Sequence, residues 1–93
     1  MMKVEYKFNN QLIELVETSN GDDSEFSLTL IDKNLKKKVE KVREYFDENN
    51  ILTDIYFYIH PNNRFQIIVR KDFYDEFLIQ LFRQQLVNEI KWI

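Results

Sequence analysis

Cysteine is absent from the 93-residue chain, and glycine, proline and histidine occur once each. Without cysteine there is no disulfide framework and no thiolate chemistry. One histidine and no cysteine leave none of the paired ligands that a zinc site requires. A lone glycine, Gly21, allows neither the dinucleotide fingerprint nor the phosphate-cradling loop, both of which need several. No metal and no cofactor are therefore expected. The scarcity of Gly and Pro also leaves no flexible linker and no low-complexity tract. Long apolar runs are missing too. Lys3, Glu5 and Lys7 interrupt the N-terminal segment, and nothing approaches the ~20 apolar residues of a membrane span. The expectation is one cytoplasmic domain, residues 1–93, with no membrane partner.

What is present is a good core former. Hydrophobic residues make up 44% of the chain and aromatics 15%, well above the range of disordered segments. The net charge of −3 disfavours nucleic acid as a bulk partner, because phosphate neutralisation needs a basic face.

Periodicity divides the chain into elements. Met2, Val4, Tyr6 and Phe8 alternate with charged residues, which predicts a strand over Met2 to Phe8. Asn9-Asn10 is read as a two-residue turn into a return strand, Gln11 to Glu17, with Ile13 opposite Tyr6 and Leu15 opposite Val4. Asn20-Gly21 is the strongest turn signal and leads to a third strand, Ser24 to Ile31, setting Leu15 against Phe26 and Ile13 against Leu28. Asp32 then caps a helix whose Leu35, Val39, Val42 and Phe46 recur at helical spacing, with Asn49-Asn50 closing it. A hairpin follows, Ile51 to His60 and back, turning at Pro61-Asn62-Asn63. It pairs Ile59 with Phe65, Phe57 with Ile67 and Ile55 with Val69, and its outer face carries Asp54 beside Arg70 and Tyr56 beside Ile68. The last helix is predicted from the cap Asp72, with Asp75 in a capping-box position, to about Ile90.

The order βββαββα implies an α+β two-layer sandwich: a five-stranded antiparallel sheet, order 1-2-3-5-4, with both helices on one face. From the third strand onward it resembles a ferredoxin-like topology without its last strand.

No spacing in the sequence assembles a catalytic constellation, so no catalytic residue is assigned. His60 sits at a hairpin tip and reads as a turn residue beside Arg64. Asp22-Asp23-Ser24-Glu25 lacks the alternating ligands and central glycine of a calcium loop and reads as a solvated turn. Three features point to binding. Lys33, Lys36, Lys37, Lys38 and Lys41 crowd the start of the first helix, the end where cations oppose the dipole, and are candidates for holding an anion. On the outer sheet face, Tyr56, Tyr58, Ile68, Leu12 and Val16 are more apolar than a solvent face requires. On the last helix the apolar residues span roughly 200°, against the ~100° stripe that a sheet-packed helix needs. Phe82, Leu86, Ile79 and Ile90 are left on the surplus side. The expected function is a non-catalytic protein-interaction module that binds a protein partner or a second copy of itself. The alternative is an anion- or nucleic-acid-binding regulator using the lysines.

Overall fold

The computed structural model describes residues 4–48 and 55–93. Six strands and two helices follow in the order β1 (Val4–Lys7), β2 (Ile13–Asn20), β3 (Asp23–Leu30), α1 (Lys36–Glu48), β4 (Ile55–His60), β5 (Arg64–Arg70), α2 (Tyr74–Arg83) and β6 (Glu89–Trp92). A 3-10 turn leads into each helix, Lys33–Leu35 before α1 and Lys71–Phe73 before α2. The α+β class and the antiparallel pairing agree with the sequence. The single five-stranded sheet does not form. Strands order as β2-β3-β5-β4 in one sheet, and β1 pairs with β6 in a separate two-stranded ribbon.

Two local causes divert β1 from β2. Asn9 does not open a two-residue hairpin. Its side chain accepts the Gln11 N–H at 2.9 Å, and its carbonyl accepts the N–H groups of Leu12 and Ile13. This winds the backbone into a helical turn, the alternative that short polar side chains offer the chain. The strand leaving it starts at Ile13 and cannot fold back on β1. The second cause lies at the other end, where β6 supplies a partner: Val4 lies opposite Trp92 and Tyr6 opposite Ile90.

The last helix stops at Arg83, well short of Ile90, because a left-handed residue ends it. Gln85 has φ 62, its N–H donates to the Phe82 carbonyl, and the Leu86 N–H donates to the Leu81 carbonyl, both at 2.9 Å. This is the Schellman pattern, with its usual apolar contact between the flanking residues, Leu81 and Leu86, both buried. Glycine normally occupies the left-handed position; here glutamine does, which hides the stop. The start differs as well, since Asp72 lies within the 3-10 turn and no side chain caps it.

Turn geometry also corrects the second hairpin. Its two-residue loop is Gly21-Asp22, not Asn20-Gly21, so Ile13 pairs with Leu30, Leu15 with Leu28 and Glu17 with Phe26. Gly21 takes φ +66 at the first central position, as a II′ turn demands, with nothing within 4 Å of where a Cβ would stand. Backbone conformation, not space, selects glycine there. The partner shifts by two residues, an even number, so every side chain keeps its face. The hairpin at Pro61-Asn62-Asn63 has the expected register throughout, with Asn62 and Asn63 both left-handed.

One face of the four-stranded sheet carries Ile13, Leu15, Phe26, Leu28, Leu30, Ile55, Phe65, Ile67 and Val69, all buried. Against them pack Val39, Val42 and Phe46 of α1 and Phe77, Leu78 and Leu81 of α2. Both helices therefore lie on the same face, as expected. The Phe77 ring sits 4.8 Å from Phe26, with Phe46 and Phe57 near it. Asp32 Oδ1 accepts the Asn34 N–H at 3.0 Å, the predicted cap. Met2, Asn49-Asn50, the start of the fourth strand at Ile51, and Asp54 lie outside the described residues.

Candidate functional site

The helices leave the other face of the sheet uncovered, and the registers place its side chains in rows. Glu14, Thr29, Arg64 and His60 form one row; Val16, Ser27, Gln66 and Tyr58 the next; Thr18, Glu25, Ile68 and Tyr56 the third. Tyr56 and Tyr58 are 45% and 48% exposed and Val16 is 50% exposed, while Ile68, on a central strand, is half-buried. Tyr56, Tyr58 and Ile68 thus come together around the β4–β5 pair, with Val16 across the same face; Leu12, also expected there, precedes β2 and borders the trough beside Phe82 instead. His60 does not bond Arg64. Its Nε2 lies 3.0 Å from Gln66 Oε1, an oxygen that can only accept, so Nε2 carries the proton in this arrangement.

Ile59 alternates with Ile55 and Phe57, a pattern that predicts an inward side chain, yet it is 62% exposed. It does point to the helix side, opposite Phe65, but it stands at the hairpin tip on an edge strand, where neither helix reaches over it. The signal was present in the sequence: an apolar residue two positions before Pro61, at the end of a strand that also shows tyrosines on its other side.

The helical candidates separate. Phe82 is on the surface at 46% exposure, but Leu86 is 3% exposed and belongs to the core. Ile90 is part of β6 and packs partly against the core. The surplus apolar arc is therefore no continuous helical face: Ile79 and Phe82 lie on α2, but Leu86 and Ile90 sit beyond its end. Phe82 borders an open trough of about 600 Å³ with Leu12, Leu35, Lys38, Arg83 and Gln85. Lys38 donates from Nζ to Gln85 Oε1 at 3.1 Å across it. The other cluster members, Lys33, Lys36, Lys37 and Lys41, are exposed. Lys7 and Glu89, opposite each other in the β1–β6 ribbon, pair at 3.3 Å.

A further cluster escaped the sequence. Glu17 sits on the helix side of β2, opposite Phe26, and its carboxylate is shared by two tyrosines. Tyr6 donates to Oε1 at 2.8 Å, and Tyr74 donates to Oε1 at 2.9 Å and Oε2 at 3.0 Å. Partial burial, then the carboxylate bond, then its negative charge hold both phenols well above the ordinary tyrosine range. Tyr45 is raised likewise, first by its 2.6 Å hydrogen bond to Glu76 and then by desolvation. The Tyr6 and Tyr74 bonds tie the β1–β6 ribbon and α2 to the edge of the main sheet, and the Tyr45 bond ties α1 to α2.

Comparison with protein-family models, with curated proteins and with solved structures finds no match for this chain. No helix of the described residues is long and apolar enough to cross a membrane.

Proposed function

We propose that the chain is a non-catalytic protein-interaction module that associates with a second copy of itself through the tyrosine-bearing side of its sheet. The observation that carries this reading is the pair Tyr56 and Tyr58, each nearly half exposed, on a face that no helix covers, with Ile68 between them and the sheet centre. Tyrosine is favoured at such surfaces because it offers a large apolar area with a polar tip at small entropic cost. Supporting a binding role over a catalytic one, the tyrosine–carboxylate clusters serve as structural braces. Light scattering over a concentration series tests the proposal: the mass should rise from about 11.5 kDa toward twice that value. Changing Tyr56 and Tyr58 together to Ser should return it to the monomer with the fold intact.

A second reading, an anion- or nucleic-acid-binding regulator, draws on one observation. The first turn of α1 holds lysines and no acidic residue, although that end of the dipole favours anions over cations. It requires binding of a polyanion that weakens steeply with salt and is lost on changing Lys36, Lys37 and Lys38 to Ser. Salt-insensitive binding would rule it out.

A further inference from the structure

We propose that two copies join through their β4 strands, antiparallel about a two-fold axis at Phe57, to make one continuous eight-stranded sheet. The inference rests on the self-association proposed above and specifies how it is built.

β4 is an edge of the four-stranded sheet, and among the described residues its far side pairs with no strand. Edges in monomers are guarded, most often by charge, proline or a covering loop, because unpaired N–H and C=O groups invite another strand. β4 has none of these guards within it: Ile55 to His60 contains no Lys, Arg, Asp, Glu or Pro. The opposite edge, β2, differs. It carries Glu14 and Glu17, the latter tied to Tyr6 of the β1–β6 ribbon. β4 also leaves large side chains open on both faces, Tyr56 and Tyr58 on one and Ile59 at the tip of the other, where Ile55 and Phe57 pack against the core.

The occupant is indicated by the strand itself. Ile55-Tyr56-Phe57-Tyr58-Ile59 reads the same in both directions. Two antiparallel copies centred on Phe57 set Phe57 against the partner's Phe57, Tyr56 against the partner's Tyr58, and Ile55 against the partner's Ile59. Each pair joins residues of the same parity, so helix-side residues meet helix-side residues and tyrosines meet tyrosines on the open face. Ile59, exposed at 62%, comes to lie beside the partner's Ile55, a residue 4% exposed in the single chain, and so extends the core across the axis. Aromatic and β-branched cross-strand pairs are the stabilising kind, and no like charges oppose each other. A foreign strand could dock on an open edge, but it would not call for a palindrome. Because the contact is isologous it closes at two copies and leaves the β2 edges outermost.

The test uses wild type, Ile59→Lys on the β4 edge and Val16→Lys on the far side of the open face, in sedimentation velocity, with circular dichroism to verify folding. Both positions are exposed, so both variants should fold. Wild type and Val16→Lys should be dimers, and Ile59→Lys should be a monomer over at least a tenfold concentration range. Because the chain has no cysteine, single Tyr56→Cys and Tyr58→Cys variants give a register check. Mixed, they should form a disulfide-linked dimer at least tenfold faster than either alone. A dimer that survives Ile59→Lys, or cross-linking no faster in the mixture, overturns edge pairing and leaves self-association by stacked faces standing. A wild type that stays monomeric at every concentration overturns both.

Discussion

Tyr74 donates its hydroxyl to both carboxylate oxygens of Glu17, at 2.9 and 3.0 Å, and so bridges the first turn of α2 to the edge strand of the sheet. Tyr6 reaches the same carboxylate from the ribbon. A group whose folded pKa is raised binds its proton more tightly folded than unfolded. Its contribution is complete below the unfolded tyrosine value, about 10, and is lost as pH rises beyond it. Stability should therefore fall with increasing pH above about 10. The decline should be shallower in Tyr6→Phe and Tyr74→Phe, which urea unfolding at a series of alkaline pH values would measure. At neutral pH each of these substitutions should cost about 1–2 kcal/mol, the scale of a hydrogen bond to a charged group at a partly exposed site.

Leu86 and Phe82 should respond in opposite ways to a polar substitution. Leu86→Ser places a hydroxyl in the core and leaves a void, at a cost of about 2–5 kcal/mol. Phe82→Ser, on the surface, should stay within about 1 kcal/mol. Urea midpoints for the two variants decide this, and similar losses in both would contradict the helix end at Arg83.

Gln85 is the residue at which glycine should improve the protein. Its left-handed backbone carries a steric cost for any side chain with a Cβ, so Gln85→Gly should raise stability by about 0.5–1 kcal/mol despite losing the exposed hydrogen bond from Lys38. Differential scanning calorimetry should show an increase of a few degrees in Tm.

Phe77 is enclosed by the rings of Phe26, Phe46 and Phe57 and has no solvent exposure. Phe77→Ala should cost about 3–5 kcal/mol, a large part of the total stability of a domain this size. Loss of a cooperative thermal transition, or a shift of that size in the urea midpoint, is the expected result.

How much could be read in advance depended on whether local chemistry and long-range partner agreed. At the Pro61-Asn62-Asn63 turn both pointed to one register, and every predicted pair that falls on described residues formed. Asp32 announced α1 by a cap whose geometry is local. Gln85 concealed the end of α2 because the usual glycine was missing, while Leu86 and Ile90 continued the helical spacing by coincidence. β1 was legible as a strand from Val4 and Tyr6, but its partner was not. Glu89-Ile90-Lys91-Trp92 is too short to stand out from the periodic stretch before it. The shared face of Tyr56, Tyr58 and Ile68 was legible, since alternation alone places them on one side of the sheet. Glu17 was not, because nothing in the sequence brings Tyr6 and Tyr74 to one carboxylate.

The pairing of β1 with β6 also places the longest reach of the fold at its seam. The four-stranded sheet and its two helices come from one continuous stretch, Ile13 to Arg83, while the ribbon joins segments from either side of it. Val4 lies against Trp92 and Tyr6 against Ile90, a closure that spans nearly the whole described chain and so carries its largest loop entropy. One of the two hydroxyls on Glu17 depends on that closure.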